Sequence, residues 1–173
     1  GVTNDMRIAR EAITAVGGEI LGERYLPIGS FDVDMMIDEI KLARPDFILN
    51  SLIGPSQYRF LSALHELGKS DSHFLPENCP VMSCNLTECE LPALGQAAEG
   101  LIAAGPYFRG STSWPGGHFG SSHEAATFAA VQELARLLSF SPESEQASLA
   151  ELLAQDESSD GMVDQHTHHT KLP

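Results

Sequence analysis

Residues 45–56 read Pro45-Asp46-Phe47-Ile48-Leu49-Asn50-Ser51-Leu52-Ile53-Gly54-Pro55-Ser56, and their order decides the fold. Phe47-Ile48-Leu49 is a continuous apolar run, too short to show alternation, and reads as a buried strand. A polar turn follows. Pro55-Ser56 then opens a segment in which Phe60, Leu61, Leu64 and Leu67 recur at helical spacing, with Gly68 as its stop. The same order returns downstream. Pro80 to Ser83 reads as a strand and Ser83-Cys84-Asn85-Leu86-Thr87-Glu88 as a polar loop. Thr87-x-x-Glu90 is a capping-box pattern that starts a short helix ending at about Leu94. Gly100 to Ala104 is the next buried strand, closed by Tyr107-Phe108.

Working outward, Met6, Ala9, Ile13 and Val16 step by three and four, so residues 4–16 read as a helix stopped by Gly17-Gly18. Glu19 to Leu26 is a β-prone run ended by Pro27 and Gly29. Ser30 is placed to cap a second helix with Val33, Met36, Ile37 and Ile40 on its apolar face, closed by Pro45. Beyond Phe108 the periodicity lapses, and residues 109–120 read as an irregular loop. Ser121-x-x-Glu124 caps a helix faced by Phe128, Val131, Ala135 and Leu138. Ser141-Pro142 starts a shorter helix toward Gln155. The polar tail, 156–173, turns histidine-rich, with one more strand expected near Met162-Val163. Strands alternating with amphipathic helices imply βαβ units. The expected fold is α/β: residues 1–173 as a single Rossmann-like lobe of three αβα layers with a mostly parallel sheet.

In such a sheet, ligands bind outside the carboxyl ends of the strands. The two polar loops fall at that end, and neither carries a nucleophile with a base, a phosphate-cradling glycine pattern or clustered metal ligands. A receptor for a small polar molecule is the expectation, with no cofactor. Composition agrees, at 42 % hydrophobic and 20 % charged residues over 173 positions, enough for one domain with a core. The formal net charge of -14 argues against nucleic acid, whose phosphates require clustered Lys and Arg. No apolar run approaches the roughly 20 residues that span a bilayer. The chain opens on polar and charged residues, without the pattern of a signal peptide. Cys79, Cys84 and Cys89 are neither a disulfide framework nor a familiar zinc pattern, and reduced thiols mildly favour the cytoplasm.

Three strings carry a family resemblance. Gly17-Gly18-Glu19-Ile20-Leu21-Gly22-Glu23-Arg24-Tyr25-Leu26-Pro27-Ile28-Gly29 resembles the second-lobe opening of the urea- and short-chain-amide-binding branch of the type I periplasmic binding proteins. So does Ala43-Arg44-Pro45-Asp46-Phe47-Ile48-Leu49-Asn50 with its loop. Asp164-Gln165-His166-Thr167-His168-His169-Thr170 resembles the His-rich turn near the carboxyl end of the branch. The branch includes substrate-binding subunits of urea and amide ABC transporters, and a cytoplasmic amide sensor that restrains an antiterminator of the aliphatic amidase operon. The resemblance implies a non-enzymatic lobe that grips a small amide or urea together with a first lobe. It also implies an ABC permease or a regulatory antiterminator as partner, in the periplasm or the cytoplasm respectively. The family's first strand of this lobe would lie just upstream of Gly1, and a homodimer is one remedy for the sheet edge thus exposed.

By the family pattern, Asn85 and Ile53 face the ligand. Asn85 can donate and accept at once, and Ile53 can pack an alkyl end, or else be a core residue at a strand end. Ser51 bonds either a ligand or its own turn. Thr87 is a ligand contact or a helix cap. Tyr107 lines the cleft or packs as an aromatic. His166, His168 and His169 invite a metal reading, although a hairpin turn with exposed histidines accounts for them. A competing class is a hydrolytic or metal-dependent α/β enzyme using His118, His123, Glu124, Ser121 and Ser122, for which no Gly-x-Ser-x-Gly elbow is present.

Overall fold

The computed structural model describes residues 2–110, 118–140 and 168–171. Its elements run α1 (Val2–Ala15), α2 (Asp34–Ala43), β1 (Ile48–Asn50), α3 (Gly54–Ser70), β2 (Val81–Ser83), α4 (Leu91–Leu94), β3 (Ile102–Gly105), α5 (Ser122–Phe140) and β4 (His168–Lys171). Short 3-10 turns cover Ser72–Phe74, Glu88–Glu90 and Gly95–Ala98. The four strands lie in the order β1-β2-β3-β4. β1, β2 and β3 are mutually parallel, with Ile48 opposite Val81, Asn50 opposite Ser83 and Ser83 opposite Ala103. This is the expected α/β architecture with a mostly parallel sheet.

The chain divides into two compact units, one of 1–85, 90–103 and 171–173, the other of 86–89 and 104–170. The core of the first is α3, which buries Phe60, Leu61, Leu64 and Leu67, together with Phe74, Val81, Leu94, Leu101 and Ala103. Pro55 stands in the first turn of α3, where its missing N–H costs nothing. Gly68 does not stop that helix. It lies within it, and its missing side chain makes room for the carbonyl oxygen of Phe74, which would come 3.0 Å from a Cβ there. Helix α3 therefore runs on to Ser70, where Asp71 N–H closes onto Leu67 O at 2.9 Å.

In the second unit, Leu86, Tyr107, Phe108, Ala125 and Leu137 are buried. Phe119 packs with Tyr107 at 6.1 Å and with Phe128 at 5.0 Å between ring centroids. The Ser121–Glu124 box forms at the start of α5. Ser121 Oγ accepts from Glu124 N–H at 3.2 Å, and Glu124 Oε2 accepts from Gly120 N–H at 2.7 Å.

Several expectations are corrected. Residues 19–26 form no strand; a lone β-prone run cannot satisfy its backbone groups without a neighbour, and β1 ends the sheet on its outer side. Ser30 does not cap α2. Val33 holds that position without a side-chain bond, while Ser30 Oγ accepts only from Asp32 N–H at 3.4 Å. The Thr87–Glu90 box gives a 3-10 turn before the single turn of α4, and Thr87 Oγ1 accepts from Cys89 N–H at 3.3 Å. His168 and His169 lie in strand β4 rather than in a turn. The helix expected after Ser141 and the strand near Met162-Val163 fall outside the described residues, as do His166 and most of the 109–120 loop.

Candidate functional site

The carboxyl ends of β1 and β2 finish on one polar rung. Asn50 and Ser83 stand opposite each other, exposed by only 3 % and 0 %. Two polar side chains at that depth need partners, and they find each other: Asn50 Nδ2 donates to Ser83 Oγ at 2.8 Å. Asn50 also shapes the loop that follows, since its Oδ1 accepts from Leu52 N–H at 3.1 Å. Cys84 N–H donates to Asn50 O at 3.2 Å, one step beyond the ladder.

One layer outward the two loops are joined again. Asn85 is exposed, and its Nδ2 donates to Ser51 O at 3.0 Å. This leaves Asn85 Oδ1 without a partner among the described residues. Ile53 is 49 % exposed, a branched apolar side chain held at the surface. It is also the N-cap of α3, with extended backbone at φ -132°, ψ 151° and no side-chain cap bond. Gly54 follows at φ +58°, a conformation that bulkier residues resist. The first N–H groups of α3 thus have no side chain to accept them, and an uncapped helix N-terminus favours an acceptor group.

Within the first unit the structure therefore brings together Ser51, Ile53 and Asn85. It offers them as an outward acceptor (Asn85 Oδ1), backbone donors and a hydrocarbon contact. Thr87 and Tyr107 belong to the second unit. Thr87 holds the 3-10 turn already described. Tyr107 is 1 % exposed, and its hydroxyl donates to Phe119 O and accepts from Phe119 N–H, both at 2.9 Å. That exchange pins the two ends of the 109–120 loop. In the same unit Arg109 N–H donates to Glu88 Oε1.

Asn50 and Ser83 are the residues that sequence reasoning missed. The signal for Asn50 was present, an Asn directly after an apolar run and before a turn. Ser83 carried none, because its role depends on strand register. At the first turn of α3, Ser56 Oγ and both ends of the Gln57 amide are buried with no hydrogen-bond partner among the described residues. The structure gives no reason for them.

The comparisons with known proteins follow this geometry. Residues 2–131 match a family model described as periplasmic binding protein domain. Among solved structures, the solute-binding protein of an ABC transporter from R. palustris, in complex with 4-hydroxybenzoate, superposes with a TM-score of 0.52 at 22 % identity. The match covers 72 % of this chain and 31 % of that one, and at this identity it is a likeness of fold. No curated protein matches.

Proposed function

The chain belongs to the periplasmic binding protein domain family, and from that premise we propose that it is one ligand-gripping lobe of a substrate-binding protein for urea or a short-chain aliphatic amide. The observation that carries this is the Asn85–Ser51 bond, which ties the two loops and leaves Asn85 Oδ1 to accept from a ligand N–H. The bare start of α3 supplies donors for the ligand carbonyl, and Ile53 packs its alkyl end. A small amide presents that set: one acceptor, N–H donors and a short hydrocarbon.

The mechanism is population shift. A ligand that touches both lobes stabilises the closed state by its differential affinity, and no bond is made or broken. The closed state would then engage an ABC permease, or release an antiterminator if the protein serves amidase regulation. Tyr107, buried with its hydroxyl bonded to Phe119, and Thr87, at the 3-10 turn, belong to the other unit and are left out of the proposed set.

A thermal-shift titration of the full-length protein with urea, acetamide and butyramide tests the reading, with two carboxylates for comparison: acetate, which only accepts, and 4-hydroxybenzoate, which adds one hydroxyl donor. Stabilisation by an amide, weakened about tenfold or more by Asn85→Ala, is the expected result; tenfold corresponds to about 1.4 kcal/mol, the scale of one hydrogen bond. Stabilisation by the carboxylates alone, or turnover of the amide, would sink it.

A further inference from the structure

The other end of the same strands frames a cavity that the loop site does not use. It measures about 320 Å³ and lies among the second half of α3, residues 74–79, the start of β2 and the segment leading to β3. That volume is within the usual range for small-molecule pockets. Leu61, Leu64, Phe74, Val81 and Leu101 form its walls. Backbone contacts set their spacing. Gly100, at φ +76°, has no room for a side chain, because a Cβ would come 2.4 Å from Pro76 Cβ. Gly68 allows Phe74 O to approach α3 in the same way. Burial, and then the charge of Asp46, pushes the Cys79 thiol up, so it lines the cavity as a neutral group.

His65 is the exception in this apolar lining. Its Nε2 is buried and has no hydrogen-bond partner among the described residues. A buried polar atom left alone is destabilising and calls for an explanation. The wall around His65 is mostly hydrocarbon, with the charged groups at the rim, and so offers a water few of the two to four polar partners that an ordered buried water takes. An anion is disfavoured too, because the exposed carboxylates Glu77 and Glu99 line the rim. The one cation there, Lys69, is engaged by Glu66 at 2.7 Å.

We propose that this cavity is a second binding site, for a small neutral and mainly apolar molecule carrying one hydroxyl, which His65 Nε2 holds by a hydrogen bond. The site stands apart from the loops around Asn85 and Ser51, so occupancy of one can be read separately from the other.

The test is an NMR titration of the full isotope-labelled chain with benzyl alcohol and, separately, toluene. Benzyl alcohol should give saturable shifts of the His65 imidazole and of the Leu61, Leu64 and Val81 methyls. Toluene should bind at the same methyls about tenfold more weakly, a difference of about 1.4 kcal/mol. Ala97→Phe, which fills the cavity from a buried lining position, should abolish both. His65→Phe should keep toluene binding and erase the preference for the alcohol. Equal affinity of the wild-type chain for both probes, no saturation, or shifts confined to Ser51 and Asn85 would overturn the proposal, whether or not the variants fold.

Discussion

Helices α2 and α3 follow one another in the chain, and each carries an apolar stripe, yet only α3 is buried. Helix α3 sinks Phe60, Leu61, Leu64 and Leu67 against the 3-10 turn at 72–74, α4 and the 95–98 turn. Helix α2 buries no residue of its own. Met36, Ile37 and Ile40 are half covered, while Met35 and Leu42 face solvent, Leu42 at 86 %. The segment before it is similar: Leu21, Tyr25, Ile28 and Phe31 are exposed. An amphipathic stripe becomes stability only where a second surface meets it. Helix α3 has that surface. Residues 2–47 have little of it, with Val33 as their one fully buried anchor among the residues whose burial is described.

The largest effect should come from removing a side chain on each stripe. Phe60→Ala is expected to cost about 3–5 kcal/mol in urea unfolding, the range for truncating a buried aromatic. Met36→Ala, on the half-covered stripe of α2, should cost no more than about 1 kcal/mol. Similar losses for the two would break the comparison. A smaller contrast separates the polar residues. Asn50→Ala removes the bond to Ser83 and the bond from Leu52 N–H, and leaves Ser83 Oγ buried without its partner. It should cost about 1–3 kcal/mol. Ser30→Ala, at an exposed turn with one long bond, should be close to neutral by the same denaturation measurement.

The division between these regions also governs what was readable in the sequence. Apolar runs bounded by turn residues located β1, β2 and β3 to within two residues, because their burial is local and nearly continuous. The Glu19–Leu26 run has the same local propensity and forms no strand, since pairing depends on a neighbouring edge that local propensity does not supply. The two capping boxes differ for a local reason. Ser121–Glu124 precedes a long helix and closes. Thr87–Glu90 precedes Pro92 and a single turn, and there the hydroxyl accepts from Cys89 N–H within a 3-10 turn. Gly68 was misread because a glycine that permits close approach looks, in one dimension, like a glycine that ends a helix. The polarity of the two loops and their place after β1 and β2 were legible in the sequence. The Asn50–Ser83 pair and the unpartnered His65 nitrogen were not, since both depend on which residues the register and the packing bring together.

The smallest predicted effect concerns the ion pair at the carboxyl ends of α2 and α3. Arg44 follows the last residue of α2 in a left-handed conformation at φ 46°, and its Nη1 lies 2.7 Å from Asp71 Oδ2, just past α3. The guanidinium also sits 5.6 Å from the Phe74 ring centroid. The hydrogen bond from Arg44, and then the backbone N–H of His73, hold the Asp71 carboxyl below the usual carboxylate range. A carboxyl whose folded pKa is depressed stabilises the fold above its unfolded pKa of about 3.9, and loses that contribution as pH falls through the lower folded value. The acid limb of stability should therefore be shallower in Asp71→Asn, with only a slight change between pH 6 and 8, since both partners are partly exposed and water screens them. Arg44→Lys keeps the charge but not the planar fork, and should recover part of the pH dependence. The measurement is the urea midpoint against pH for the three proteins, with the Asp71 carboxyl followed by NMR. An unchanged acid limb in Asp71→Asn would mean that the pair is incidental, and that α2 is held to α3 by its apolar face and by the Asp34–Arg59 pair at 3.8 Å.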